Sequence, residues 1–263
     1  MSAFANGLML SNLSWPELSE IQDQIELVLL PVGSNEQHGP NLAMDMDIAA
    51  SSEFCRRASA ALQPSVAVAP PMPWGVSFHH MNFPGTITLS SETFIQVLVE
   101  VMASLYHHGF ERFLIVNGHG GNIPSMNVAI VRAKEEIGMT FVGACSYFGF
   151  ADPDIRAKHE KTEHTGHACE WETSVAMELA PPVVKKNTLA PGELTDLTTG
   201  FRTQLQKYGV QVPYRFDEFT RNGALGDATQ ATVEAGREIV ESSLQNFTGF
   251  CQELIRQHPV NSA

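Results

Sequence analysis

The sequence predicts an α/β fold: three α/β/α layers with a mostly parallel central sheet. Two observations support this prediction. Short apolar runs, typical of buried strands, alternate along the 263-residue chain with longer stretches typical of helices. No internal repeat, low-complexity stretch or linker divides the chain. We therefore expect a single domain over residues 1–263.

The first half of the chain has elements with clear boundaries. Residues 27–32 are apolar throughout, as in a strand buried on both faces, and Gly33-Ser-Asn35 ends the run. Ser90 or Ser91 can cap a helix, and Pro124 suits the first turn of another that ends at Gly138. We predict further strands at 66–70, 113–117 and 141–145, and helices at 47–62, 90–108 and 124–138.

The second half is less regular. Residues 148–164 carry charge without a clear period. A helix is predicted from about Gly166 to Ala180, where two prolines stop it, and a last helix from about Asp227 to His258. Residues 191–221 form a polar excursion, which we expect to be a lid, a hairpin or a subunit contact.

Composition limits the possible partners. The chain has 29 acidic against 16 basic residues, and this negative surface disfavours nucleic acid and anionic membranes. No apolar run is long enough to cross a bilayer, and the first nine residues lack the basic start of a signal peptide. Four scattered cysteines are typical of reduced thiols. We expect a cytoplasmic protein with a small-molecule substrate.

The segment after the first predicted strand is the most informative. Glu36 and His38 lie two residues apart, so in an extended chain they project to the same side, beyond the end of the strand. A carboxylate and a neutral imidazole that converge on one point can bind a divalent metal. Asp45 and Asp47 follow at the start of the next helix, where each could be a helix cap, a ligand or both.

A second candidate is the glycine-rich turn at residues 117–122. Its glycines let the backbone bend sharply around His119, between a strand and a helix. A phosphate cradle or dinucleotide site is the alternative, but the spacing fits neither fingerprint. A ligand or catalytic role for His119 is the better interpretation.

Two further segments carry ligand-type side chains. If the helix starts near Gly166, His167 and Glu170 lie three residues apart on one face, although a solvated first turn is the simpler interpretation. The proline-rich loop carries Ser77, His79 and His80. In an extended chain, at most one of these two adjacent histidines can face a pocket.

These motifs together resemble the creatininase (creatinine amidohydrolase) family. The resemblance spans most of the chain. It rests on residues 31–40 with Asp47, on Ser77, His80 and Phe83-Pro-Gly-Thr86, on Asn117-Gly-His-Gly-Gly-Asn122, on His167-Ala-Cys-Glu-Trp-Glu-Thr-Ser174 and on residues 223–231.

The resemblance implies a dinuclear centre of two divalent ions, zinc or manganese. Asp47 would bridge the ions, Glu36 and His119 would hold one of them, and His38 would help to hold the other. Creatinine-hydrolysing members carry a glutamate ligand where this chain has Gly121, so creatinine is a doubtful substrate. Glu170 is the substitute that the resemblance suggests.

The resemblance also implies the chemistry, in which a metal-bridging hydroxide attacks a substrate carbonyl and His167 carries a proton to the leaving group. Glu172, or Glu163 with His164, would orient His167. Substrate contacts are expected from Ser77, His80, Gly118, Gly120 and Trp171. Amide or ring C–N hydrolysis is the leading reaction. C–C hydrolysis of a cyclic diketone and a non-catalytic, metal-stabilised binding protein are the alternatives. A homo-oligomer, commonly a hexamer, is also implied.

Overall fold

The structure is a computed structural model that describes residues 6–259. Within them, five parallel strands form one sheet in the order β1-β3-β2-β4-β5. The strands are β1 (Leu8–Met9), β2 (Leu27–Val32), β3 (Val66–Val68), β4 (Arg112–Asn117) and β5 (Phe141–Ser146). The predicted α/β class is confirmed.

Helices connect the strands and complete the fold. They are α1 (Trp15–Ile21), α2 (Met46–Leu62), α3 (Ser91–His107), α4 (Ile123–Ile137), α5 (Pro153–His159), α6 (Glu170–Leu179), α7 (Thr203–Lys207), α8 (Phe216–Phe219) and α9 (Val233–Gln257). A 3₁₀ turn spans Phe78–His80, and a π-helical turn spans Leu197–Arg202.

The core consists of two apolar clusters, one on each face of the sheet. Leu27 and Leu29 of β2 belong to the cluster that includes α2, α6 and α9. Val28 and Leu30 point the other way and belong to the cluster that includes α3 and α4. Burial on both faces explains why β2 is apolar throughout and confirms the three layers.

Strand order places a crevice between β2 and β4. The chain leaves β2 for β3 on one side and later returns to β4 on the other, and Val32 pairs with Asn117 where these two strands end. The loops that follow them therefore open side by side, at the position where open α/β sheets bind ligands. The first turn of α2 packs against this edge, because a Cβ on Gly118 would lie 2.4 Å from the carbonyl oxygen of Asp47.

The predicted start of α6 was wrong. The helix begins at Glu170 instead of near Gly166. Gly166 and Ala168 both have positive φ, at 148° and 49°, so the chain cannot be helical there. Instead, His167 pairs with Leu225 in an isolated bridge. The sequence analysis also missed β1, α1 and α5.

The structure bears on the prediction about membrane spans but does not test the predicted domain organisation. No helix among residues 6–259 has both the length and the apolar character needed to span a bilayer. The division of residues 1–263 into domains stays a prediction. Residues 1–5 and 260–263 lie outside the described range. Residues 1–5 belong to the segment that we expect not to be a signal peptide.

Candidate metal centre

Ionisable side chains from four parts of the chain meet in the crevice between β2 and β4. Glu36 and His38 follow β2, His119 follows β4, Asp47 lies in the first turn of α2, and Glu172 lies in α6. Each is at most 7% exposed. Buried ionised groups need an opposite charge or a metal.

Asp47 stands between two groups of ligand-type atoms. Its Oδ1 is 3.1 Å from His38 Nε2, which is itself 3.8 Å from an Oε atom of Glu172. Its Oδ2 is 3.3 Å from His119 Nδ1, which is 3.1 Å from an Oε atom of Glu36. One carboxylate therefore faces both groups, as a bridging ligand would.

Backbone carbonyls fix the tautomers of three histidines. His38 Nδ1 is 3.1 Å from the Glu36 carbonyl, His119 Nε2 is 3.2 Å from that of Val76, and His167 Nε2 is 2.7 Å from that of Gln37. A carbonyl only accepts, so each of these nitrogens donates its N–H. When the ring is neutral, its other nitrogen therefore faces the carboxylates with a lone pair, the state that a metal ligand requires.

His80 has the opposite arrangement. The side-chain amide of Gln37 donates to its Nδ1 at 2.9 Å, because the Gln37 oxygen already accepts from the Gly39 backbone N–H. The proton of His80 therefore lies on Nε2, 3.4 Å from Glu36. His80 Nε2–H therefore faces Glu36, and the ring offers no lone pair to a metal. Ser77 Oγ also donates to Glu36, at 2.8 Å.

The pKa values reflect this concentration of carboxylates. Burial alone would lower the pKa of His38, but the charges of Asp47, Glu172 and Glu36 raise it to about 10. The pKa of His119 is likewise raised, against burial, mainly by Glu36 and Asp47. Burial raises the pKa of Glu172 to about 7. The raised pKa values of both histidines therefore reflect a surplus of negative charge, which bound cations would balance.

The expectation that Glu170 reaches the cluster is corrected by the structure. One of its oxygens accepts from the Lys161 and Thr162 backbone N–H groups at 3.0 and 2.8 Å and from the Thr162 hydroxyl at 2.7 Å. The other accepts from the Asp227 N–H at 2.9 Å. Glu170 is the first residue of α6 and ties two loops to it, whereas Glu172 faces the cluster.

His79 and His80 both lie close to the cluster, and the expectation that at most one of them faces the binding pocket stays a prediction. They lie in a 3₁₀ turn and not in an extended segment. The His79 ring stacks on that of His119 with centroids 5.5 Å apart, and one His79 nitrogen is within 4.8 Å of ligand atoms of Glu36 and His119.

A cavity of about 370 Å³ opens over the cluster. Gly118, Gly120 and Trp171 line it, as a substrate contact requires, and so do His167 and Glu172. Ser77 and His80 are not among the described residues that line the cavity, although both contact Glu36, and their predicted substrate contacts stay predictions. Glu163 and His164 are also absent from the described lining. Sequence reasoning missed Phe148, Arg156 and Glu160, which lie in the segment without a clear period.

Comparison with curated proteins gives several related hydrolases. The chain is 31% identical over 238 residues to the mycofactocin precursor peptide peptidase of Mycobacterium ulcerans (strain Agy99), covering 88% of this chain and 86% of the relative. It is 26% identical to the 3-dehydro-scyllo-inosose hydrolase of Thermotoga maritima, covering 96% and 85%. It is also 26% identical to the creatinine amidohydrolase of Pseudomonas putida, covering 95% and 98%.

Solved structures share the fold. A candidate creatinine amidohydrolase from Bacteroides fragilis NCTC 9343 superposes with a TM-score of 0.83 at 24% identity, covering 97% of this chain and 99% of that one. Creatininase structures of a Zn–Zn type and with Mn superpose with TM-scores of 0.79 and 0.78. The sequence profile of the family, described as creatinine amidohydrolase, matches residues 11–251. The chain therefore belongs to the creatininase family and is a metal-dependent hydrolase.

Proposed function

We propose that this protein hydrolyses a C–N bond next to the carbonyl of a small, cyclic substrate, using two divalent ions, Zn and/or Mn. His38, Asp47 and Glu172 would hold one ion, and Glu36, Asp47 and His119 the other. The observation that carries this proposal is that backbone carbonyls fix both ligand histidines with their free nitrogens toward a shared carboxylate. Glu172 replaces Glu170 as the fifth ligand.

The residues fit such a centre for two reasons. Asp47 Oδ2 is buried and makes no well-directed hydrogen bond to a described residue, although His119 Nδ1 lies 3.3 Å away, and this is costly unless a further partner binds it. Imidazole nitrogens and carboxylate oxygens are also the donor set that Zn and Mn share. Bound ions of this kind polarise a carbonyl and lower the pKa of water to about 7.

His167 would move the proton. Its Nε2–H is held by the Gln37 carbonyl, so Nδ1 is free toward the cavity and lies 3.8 Å from Glu36. Burial lowers the pKa of His167 well below its ordinary range, so the ring is neutral and its Nδ1 carries a lone pair. Nδ1 would take a proton from the attacking water and return it to the leaving nitrogen.

Gly121 supports a substrate other than creatinine. A Cβ at this position would lie 2.4 Å from the Val76 carbonyl oxygen and 2.6 Å from the ring of His79. The backbone here therefore has no room for a glutamate, and the ligand set must differ from one that uses this position. C–C hydrolysis of a cyclic diketone is the second candidate, since the similarity to the inosose hydrolase covers 96% of the chain.

One experiment tests the proposed reaction. Purified protein would be analysed for bound metal and incubated with lactams, cyclic ureas, formamides, short peptides and inososes, with products identified by mass. We expect two ions per chain and turnover of an amide substrate that chelation abolishes. Turnover of inososes alone would favour C–C hydrolysis. Metal-independent turnover, or less than one ion per chain, would overturn the proposal.

The surroundings of the site support three further proposals. We propose that the 191–221 excursion serves as a lid, because Phe216 lies 4.4 Å from the His80 ring and 4.6 Å from the His167 ring by centroids.

We propose a homo-oligomer, a hexamer, in which exposed Phe201 and Tyr208 of the same excursion contact a second copy. We propose a cytoplasmic location, which suits four free cysteines.

A further inference from the structure

The rim of the cavity carries one strong cation. Arg156 of α5 is the only lysine or arginine among the described residues that line the cavity. Its side chain is half-exposed and lies beside Glu160 and Trp171, which line the same cavity. None of these contacts is needed for the reaction proposed above, so the role of Arg156 is open.

The guanidinium group is held from two directions. Its Nε and Nη2 donate to the two carboxylate oxygens of Glu160 at 3.1 and 3.0 Å. Its Cζ lies 5.7 Å from the ring centroid of Trp171, which is itself buried. These contacts use the side edge and one face of the group. Its end edge, formed by Nη1 and the second N–H of Nη2, donates to no described residue.

A second arginine forms the same kind of ion pair but has its end edge occupied. Arg132 of α4 pairs with Glu136 in the same way, through Nε at 2.7 Å and Nη2 at 3.1 Å. Its end edge, however, is occupied, because Nη1 and Nη2 both donate to the Gln96 side chain at 3.3 Å. Arg132 does not line the cavity. The two arginines thus differ in whether the end edge is free and in whether the residue lines the cavity.

We propose that Arg156 binds a carboxylate of the substrate through its end edge, so that the substrate is a small acid with its scissile bond in the same molecule. This inference rests on the proposed function and narrows its substrate class. The end edge offers two parallel N–H groups, the geometry that matches a carboxylate. The cluster does not repel such an anion, since two divalent ions would more than balance Glu36, Asp47 and Glu172.

The test compares acids with their amides. Calorimetric titration of Mn-loaded, full-length protein would use three pairs: N-acetylglycylglycine, pyroglutamate and N-carbamoylglycine, each with its primary amide. We expect at least one acid to bind about tenfold more tightly than its amide, as for charge-assisted hydrogen bonds. Arg156→Gln should reduce that ratio to about twofold or less. Arg132→Gln, the matched control, should leave it unchanged.

Two outcomes would overturn the inference. In the first, no acid binds more tightly than its amide to the unmodified protein. In the second, the preference survives in Arg156→Gln, which would place carboxylate recognition at the metal ions. Metal content and turnover are measured on the same samples. If metal-dependent turnover persists while the preference is absent or independent of Arg156, the proposed function stands and only this inference fails.

Discussion

The floor and the rim of the cavity are built differently. The floor residues Glu36, His38 and His119 follow directly after two adjacent, fully buried strands, and backbone carbonyls accept hydrogen bonds from the rings of both histidines. The rim residues Arg156 and Glu160 come from α5 and the irregular segment after it, and only side-chain contacts orient them. The floor is therefore suited to chemistry that needs fixed geometry, and the rim to recognition that can vary among relatives.

The largest effect should come from two glutamates of α6. Glu172→Gln should abolish activity and remove about one metal ion per chain, because it deletes a charged ligand beside His38. Glu170→Gln should keep both ions and lose roughly 1–3 kcal/mol of unfolding free energy, since it weakens the loop contacts at Lys161, Thr162 and Asp227. Elemental analysis, activity and urea unfolding measure these effects.

Each of these variants serves as the control for the other. The opposite pattern, with metal lost in Glu170→Gln and retained in Glu172→Gln, would restore the assignment made from sequence. Equal loss of metal in both would mean that the helix as a whole, and not one carboxylate, supports the centre.

His167 should affect the rate and not the metal content. His167→Gln should lower kcat by about 10² to 10⁴, the usual contribution of a positioned acid–base group, with both ions retained. Steady-state kinetics and elemental analysis on one preparation measure this. A variant that lost an ion would instead make His167 a ligand, as its position within 4.8 Å of Glu36 and His38 ligand atoms allows.

A smaller effect concerns pH. The pKa of His38 in the folded protein without metal is about 10, above its ordinary 6.5. Protonated His38 therefore adds to the free energy of unfolding of the metal-free protein. This contribution is complete below pH 6.5 and is lost as the pH rises toward 10. A metal must displace this proton, so metal affinity should rise with pH, by up to about tenfold per unit for each proton released. Titration calorimetry in buffers of different ionisation enthalpy counts the protons. An affinity independent of pH would contradict this view of the cluster.

Sequence patterns predicted the floor because its signals are local. A buried strand, a glycine turn and a pair of ligand residues two apart place Glu36, His38 and His119 without knowledge of the rest of the fold. For Asp47 the local pattern left a helix cap and a ligand both possible, and only the family resemblance implied a bridging role.

The rest depended on contacts between distant residues. The choice between Glu170 and Glu172 turns on where α6 begins, which Gly166, Ala168 and the bridge from His167 to Leu225 decide. The proton position on His80 depends on the orientation of the Gln37 amide. Arg156 lies in a charged stretch without a period, so no pattern distinguished it from a solvated side chain.

The most direct test of the central claim is anomalous diffraction from crystals of the protein loaded with Mn or Zn, recorded at the absorption edge of the metal. We predict two peaks on either side of Asp47, one bound by His38 and Glu172 and the other by Glu36 and His119. A single peak, or peaks that do not contact Asp47, would contradict the account.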